Sequence, residues 1–399
     1  MRWGSRRLGT VSTAPIIAVI GGGQLARMMA QPAGALGIPL RLLAEAEGVS
    51  AAQVIVDHTV GDHRDLETLR RVTAGCAVVT FDHEHVPTDH LRALAASGLL
   101  VRPGPEALVH AQDKVVMRAR LDALGVPSPR HAVVTSVPEI VDFGLPCVLK
   151  TASGGYDGKG VWFVATLAEA SAALAAASAG GVALLAEERV DFRRELSALV
   201  ARSPSGQAAA YAVVESTQRD GICREVIAPA PGLDPELAGR AQEIALRVAG
   251  ELDVIGILAV ELFETRDGRV LVNELAMRPH NTGHWTQDGA VTSQFENHLR
   301  AVLDLPLGSP APRAPWTVMV NILGAAPGAV SLEPGRLYDG FPHVLARDPG
   351  VRVHLYGKEW RPGRKVGHVN VYGDDLEDCL ARARHAAAWF DGSLGNESE

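Results

Sequence analysis

Cysteine is scarce: four residues in 399, Cys76, Cys147, Cys223 and Cys379, lie far apart and form no CxxC pair. That excludes a disulfide framework and a zinc ribbon, and the expected compartment is the cytoplasm. Nowhere does an apolar run approach the roughly 18 residues of a membrane-spanning helix. The first fourteen residues, MRWGSRRLGTVSTA, are basic but lack an apolar centre, so they read as a disordered arm and not a secretory signal. Positive charge is in deficit as well. With 38 Lys and Arg against 46 Asp and Glu the net charge is −8, which argues against a nucleic-acid or membrane-surface binder and makes any basic site local.

A chain of this length exceeds one ordinary core. The expected division is an arm (1–14), an N-terminal Rossmann-like domain (15–112), a central domain (113–310) with a smaller subdomain at about 126–190, a C-terminal domain (311–390) and a loose tail (391–399). An apolar run from Pro15 to Ile20 enters Gly21-Gly22-Gly23-Gln24-Leu25, after which apolar residues recur at helical spacing. The pattern of strand, glycine turn and helix either cradles a phosphate or simply allows a tight turn, because GxGxxG is not completed. Strands at Leu40–Leu43 and Ala77–Phe81 alternate with helices at Leu66–Thr73 and Thr88–Ala96, an α/β pattern with a parallel sheet. Asp82-His83-Glu84-His85 follows a strand end, where such sheets place ligands, and Glu84 is the candidate substrate contact. A helix over Gln112–Leu124 is expected next.

In the centre, a strand ending on Lys150 runs into Gly154-Gly155-Tyr156-Asp157-Gly158-Lys159-Gly160-Val161, a loop able to fold backbone N–H groups and lysine charge over phosphates. The Ala-rich helix Leu167–Ala177 suits a small subdomain that moves as a lid. Glu187-Glu188-Arg189-Val190 at a strand end either meets an adenine edge or is a charged surface end. Further strands are expected at Arg194–Ala201, Ala208–Val214 and Arg224–Ala228, with helices at Pro235–Leu252 and Thr292–Val302.

The decisive stretch is Ala259–Gln287. Two apolar runs flank Asp267-Gly268, a two-residue hairpin signal, and counting back from an Arg266–Arg269 pair sets Glu261 opposite Glu274. Facing carboxylates repel unless a cation lies between them. With Asn273 beside them they suit Mg2+, with Mn2+ as the substitute. Arg278, His280, Asn281, His284, Trp285 and Gln287 then crowd into ten residues with no apolar stripe, which reads as a binding loop. Beyond it come strands Val318–Leu323 and Val351–Tyr356 and a helix Asp374–Ala388. Lys358 to His368 holds the densest positive charge of the chain, and Arg361, Arg364 and Lys365 suit a phosphate monoester or carboxylate.

The combination of GGGQLARM, SGGYDGKG, the hairpin running into RPHNTGHWTQ, and RPGRKVGH resembles the N5-carboxyaminoimidazole ribonucleotide synthetase family of ATP-grasp enzymes over roughly Pro15–Gly373. The resemblance implies an ATP-grasp fold and ATP- and bicarbonate-dependent carboxylation of aminoimidazole ribonucleotide through carboxyphosphate. It implies ATP contacts from Lys114, Lys150, Gly155–Val161, Glu187–Val190, Glu195, Gln218, Asn273 and Glu274, and Mg2+ on Glu261 and Glu274. The ribonucleotide would meet Gln24, Leu25, Glu84, Tyr156, Asp157, Lys159, Arg278, His280, Arg361, Arg364 and Lys365. Lys150, Asp157, Lys159, Arg278 and His280 would carry the chemistry, with either His280 or Asp157 assisting proton transfer, and a homodimer is implied. Other ATP-grasp carboxylate–amine ligases, such as a formate-dependent glycinamide ribonucleotide transformylase, share the ATP half but should lack the last two motifs.

Overall fold

The computed structural model describes residues 14–154, 160–219, 221–324 and 337–394. The expected arm therefore lies almost wholly outside the described residues, as do the last five residues of the tail and the loop tip Gly155, Tyr156, Asp157, Gly158 and Lys159.

The first layer is a five-stranded parallel sheet, ordered His58–Val60, Leu40–Ala44, Ile17–Ile20, Val78–Phe81, Leu100–Val101. Ile17 and Val19 face one apolar cluster and Ala18 and Ile20 another, so the central strand is apolar throughout, as a sheet covered on both faces requires. The two edge strands, short and weakly patterned, were not legible in the sequence.

The glycine turn resolves in favour of tight packing. The Asp82 carboxylate, arriving from the end of Val78–Phe81, accepts the N–H of Gly23 at 2.9 Å and of Ala26 at 2.8 Å. Glu45 accepts the N–H of Gly22 at 3.0 Å. A Cβ on Gly23 would lie 2.0 Å from an Asp82 oxygen, so glycine is what admits the carboxylate. The helix N-terminus, which favours an anion, already has one supplied by the chain.

The helix expected at Gln112–Leu124 forms as Lys114–Ala123, and a separate helix that was not expected, Pro105–Gln112, precedes it. Pro105–Gln112 ends at Asp113, whose side chain accepts the N–H of Val115 and Val116 and starts Lys114–Ala123. Lys114 N–H also donates to Ala152 O at 2.8 Å, which ties the helix start to the end of the strand carrying Lys150.

A second sheet, ordered His131–Val134, Leu184–Glu188, Cys147–Thr151, Val161–Val164, is antiparallel. Val137–Phe143 and Leu167–Ala179 cover it through a core rich in Ala170, Ala173 and Ala177. The third sheet is the largest, running Val270–Ala276, Gly256–Thr265, Phe192–Arg202, Val214–Arg219, Ile222–Ala228, Trp316–Leu323, Lys365–Gly373, Arg352–Leu355, with Ala208–Ala210 beside Phe192–Arg202. Two expectations change here. The strand expected at Ala208–Val214 stops at Ala210 because Tyr211 turns inward, its hydroxyl donating to Thr292 O at 3.0 Å, and a separate strand Val214–Arg219 follows. The C-terminal segment, expected as a small α/β domain, adds its strands to the central sheet.

The hairpin closes differently from the two-residue turn expected. Thr265 faces Arg269, its N–H donating to Arg269 O at 2.9 Å. The loop is therefore Arg266-Asp267-Gly268, with Gly268 at φ +79°, a three-residue hairpin with glycine in the left-handed position.

Candidate active site

That extra turn residue displaces the register by one, so that Glu264 faces Val270 and Leu262 faces Val272. Asn273 then bulges, and Glu261 comes opposite Glu274 after all. The bulge is held by Arg118, buried at 1% exposure, which donates to Val272 O at 2.8 Å and Asn273 O at 2.7 Å.

Arg118 also donates to the buried Glu187 carboxylate at 2.8 Å. The other Glu187 oxygen lies 2.9 Å from Lys150 Nζ, and Lys150 reaches Asn273 Oδ1 at 2.8 Å. Burial raises the Glu187 carboxyl, but Lys150 and Arg118 outweigh it and hold its pKa below the ordinary value. Its side chain is thus taken up by cations, and any adenine contact at Glu187 falls to the backbone. Lys114 Nζ lies 3.0 Å from Glu274. Two lysines therefore converge on the hairpin face, and Glu274, despite burial, is kept acidic by Lys114 and Lys150.

Glu261 has the opposite balance. Burial, then Glu274 and Glu195, push its pKa upward, and burial pushes Glu195 up to about 7. Glu195 reaches this face from Phe192–Arg202, diagonal to Glu261. Among the described residues no group of three or more ligating side chains is assembled as a metal cage. Two carboxylates with an unneutralised third beside them are, however, the donor set with which Mg2+ binds, phosphates and water completing the shell. The residues fit that ion.

These groups line one cavity of about 1530 Å3 between the three layers, larger than a single drug-sized ligand needs. Lys114, Lys150, Val161, Glu187, Glu188, Arg189, Val190, Glu195 and Gln218 line it. Glu261, Asn273 and Glu274 line it as well, together with Glu84, Arg278, His280 and Lys365.

Glu84 joins the domains, its carboxylate accepting Met277 N–H at 3.0 Å and Arg278 Nε at 2.9 Å; it positions Arg278 from the first layer. His280 is pushed well below the ordinary imidazole pKa by burial, Arg278 and Lys365, so its ring is neutral. Its Nε2 is 3.4 Å from Glu261.

Several expected residues do not line the cavity. Gln24 accepts from Lys358, and the Leu25 side chain is 6% exposed within the core, leaving only its backbone for a ligand. Arg361 and Arg364 turn to Glu359 on an exposed tip, Arg361 at 2.6 Å. Gly160, at φ +75°, packs against Thr151. The loop read as a binding surface is mostly interior. His284, Trp285 and Thr286 are at most 1% exposed, with Trp285 packed among apolar side chains; only Arg278, His280 and Asn281 face the cavity. Some of its polar groups pair internally, Thr286 Oγ1 donating to Gly283 O at 2.6 Å and Gln294 bonding the His280 backbone and the His284 ring. The Asn281 side chain and the His284 Nε2 are buried without a hydrogen-bond partner among the described residues.

Arg118 and Gln294 were missed. Arg118 follows Lys114 by four residues on one helix face, a signal that was available. Gln294, buried on a helix of mixed pattern, gave none.

Three family models match the chain: the ribonucleotide synthetase preATP-grasp domain over residues 15–112, the ATP-grasp domain over 119–295 and the phosphoribosylaminoimidazole carboxylase C-terminal domain over 317–382. The chain is 57% identical to the N5-carboxyaminoimidazole ribonucleotide synthase of Mycobacterium tuberculosis, covering 94% of this chain and 88% of that one. It is 51% identical to that of Corynebacterium ammoniagenes, with 94% of each covered. Among solved structures it resembles the Thermus thermophilus N5-carboxyaminoimidazole ribonucleotide synthetase, 40% identical at TM-score 0.82 over 93% of this chain and 98% of that one. It also resembles the Aspergillus clavatus synthase in complex with ADP and 5-aminoimidazole ribonucleotide, 30% identical at TM-score 0.86 over 95% and 99%.

Proposed function

The chain belongs to the N5-carboxyaminoimidazole ribonucleotide synthase family of ATP-grasp ligases and carboxylates 5-aminoimidazole ribonucleotide with ATP in purine biosynthesis, and from that premise we propose how its cavity divides the work. ATP occupies the end between the second and third sheets. Lys114 and Lys150 meet its phosphates and Glu188–Val190 and Gln218 its nucleoside, with Val161 lining the same cavity. Glu261 and Glu274 hold Mg2+, with Asn273 and Glu195 beside them. The ion supplies charge neutralisation for phosphoryl transfer to bicarbonate, a reaction that needs alignment and charge above all.

The ribonucleotide occupies the opposite end, against Arg278, His280 and Lys365, with Glu84 fixing Arg278. Gln24, Leu25, Arg361, Arg364 and the loop residues Tyr156, Asp157 and Lys159 complete this contact set as the resemblance implies. Carboxyphosphate hydrolyses readily, so the acceptor amine must be seated before the cavity opens to water. The single observation that carries the reading is the Glu261–Glu274 pair facing Lys114 and Lys150 inside one cavity.

Free Cys76, Cys147, Cys223 and Cys379 support a reducing cytoplasmic location, and the family resemblance supports a homodimer. The matched models support domain limits near 112 and 310. Phosphate release with bicarbonate, measured with and without aminoimidazole ribonucleotide, tests the assignment. Release that requires ATP, Mg2+ and the ribonucleotide is expected. Release indifferent to the ribonucleotide would refute it.

A further inference from the structure

His280 begins the short turn Asn281–Gly283, and its Nδ1 accepts the backbone N–H of Thr282 at 3.4 Å. A peptide N–H can only donate, so Nδ1 carries no proton and the neutral ring carries its proton on Nε2. The Thr282 hydroxyl lies 2.8 Å from the same Nδ1 and must donate there too, which leaves its oxygen to accept from Ser197 Oγ at 2.7 Å. Ser197 and Thr282 are 1% and 2% exposed. The three groups form one directed chain, hydroxyl to hydroxyl to imidazole, ending on an N–H that faces Glu261 and the cavity.

The backbone of His280 is held as tightly as its ring. Gln294, wholly buried, accepts its N–H at 2.8 Å and donates to its C=O at 2.8 Å. A Cβ at residue 283 would meet the Gln294 oxygen at 2.4 Å, so Gly283 is what lets the clamp close.

We propose that Ser197 and Thr282 are positioning residues that fix His280 as the Nε2–H tautomer, making it a hydrogen-bond donor to an anionic carboxyl oxygen in the cavity and not the base that deprotonates the acceptor amine. The proposal rests on the assignment of this cavity to carboxyl transfer and decides the role of one residue within it. An imidazole whose free nitrogen is already used by Thr282 has no lone pair to offer a substrate proton. Its exposed N–H can stabilise charge as it develops on the transferred carboxyl group.

The test has a spectroscopic arm that does not depend on activity. In full-length enzyme labelled with 15N at its 14 histidines, the His280 ring is identified by its absence in His280→Gln. The expected signature is a protonated Nε2 and an unprotonated Nδ1 at neutral pH; a protonated Nδ1 would overturn the proposal. In the kinetic arm, Thr282→Val should lower kcat by about ten-fold with the KM for ATP unchanged, and Thr282→Ser should restore it. His280→Gln, whose amide N–H can stand where Nε2–H stood, should keep more activity than His280→Asn or His280→Ala, whose losses should be about 100-fold or more. Equal losses in all three, or a Thr282→Val enzyme with unaltered kcat, would refute the donor role. If the wild-type enzyme instead showed no ribonucleotide-dependent turnover, the functional assignment would fall while the tautomer measurement stood.

Discussion

Glu261 pairs with Glu274 although its neighbour Leu262 pairs with Val272, so a single residue, Asn273, is left unopposed between them. Two irregularities, a turn longer by one residue and a bulge of one residue, cancel. Arg118 satisfies the carbonyls that the bulge frees, and the freed Asn273 amide oxygen meets Lys150. The bulge thereby brings a lysine from the second sheet to carboxylates on the third.

Replacing Glu274 by Ala removes one of the two proposed metal carboxylates and the partner of Lys114. Turnover should fall by at least about 100-fold, with far-UV circular dichroism and cooperative unfolding retained. Activity surviving at saturating Mg2+ would contradict the metal assignment.

Glu187→Leu removes the shared partner of two buried cations. Arg118 and Lys150 would be left uncompensated, at a cost of about 3–5 kcal/mol, read as a lower urea midpoint at unchanged slope. The wild-type carboxyl is depressed on folding, so its contribution is present above the unfolded pKa of about 4.3 and is lost as pH falls below it. The deficit of the variant should therefore shrink in acid.

Glu195 has the reverse sign. Its folded pKa is about 7, above the unfolded value of about 4.3, so the folded state binds the extra proton between those limits and stability declines as pH rises through them. Glu195→Gln abolishes that decline. In metal-free enzyme the variant should gain on the wild type from about pH 4.3 to pH 7, by on the order of 1–3 kcal/mol, and hold the gain above. Parallel stability–pH curves would exclude the effect.

Lys365 lines the cavity while Arg361 and Arg364 face Glu359 at the surface. Lys365→Met should raise the KM for the ribonucleotide about ten-fold or more and leave that for ATP unchanged, whereas Arg364→Ala should have the smaller effect. Initial-rate measurements with each substrate varied distinguish them, and an Arg364→Ala defect exceeding that of Lys365→Met would reverse the ranking.

The amino-acid pattern by itself determined the alternating strands and helices of the first layer, the helices Thr88–Ala96 and Pro235–Glu251, the strand ending at Lys150 and the hairpin that carries Glu261 and Glu274, because these depend on local propensity and on spacing along one or two adjacent segments. That the two glutamates face each other rests on the bulge. Tertiary structure decided which charges meet. Asp82 fills a helix N-terminus that a phosphate could have taken, Arg118 pins a bulge from 155 residues away, and a loop rich in histidine and tryptophan turns inward. Each outcome is fixed by a partner remote in sequence, and a buried polar group reveals its role only once that partner is known.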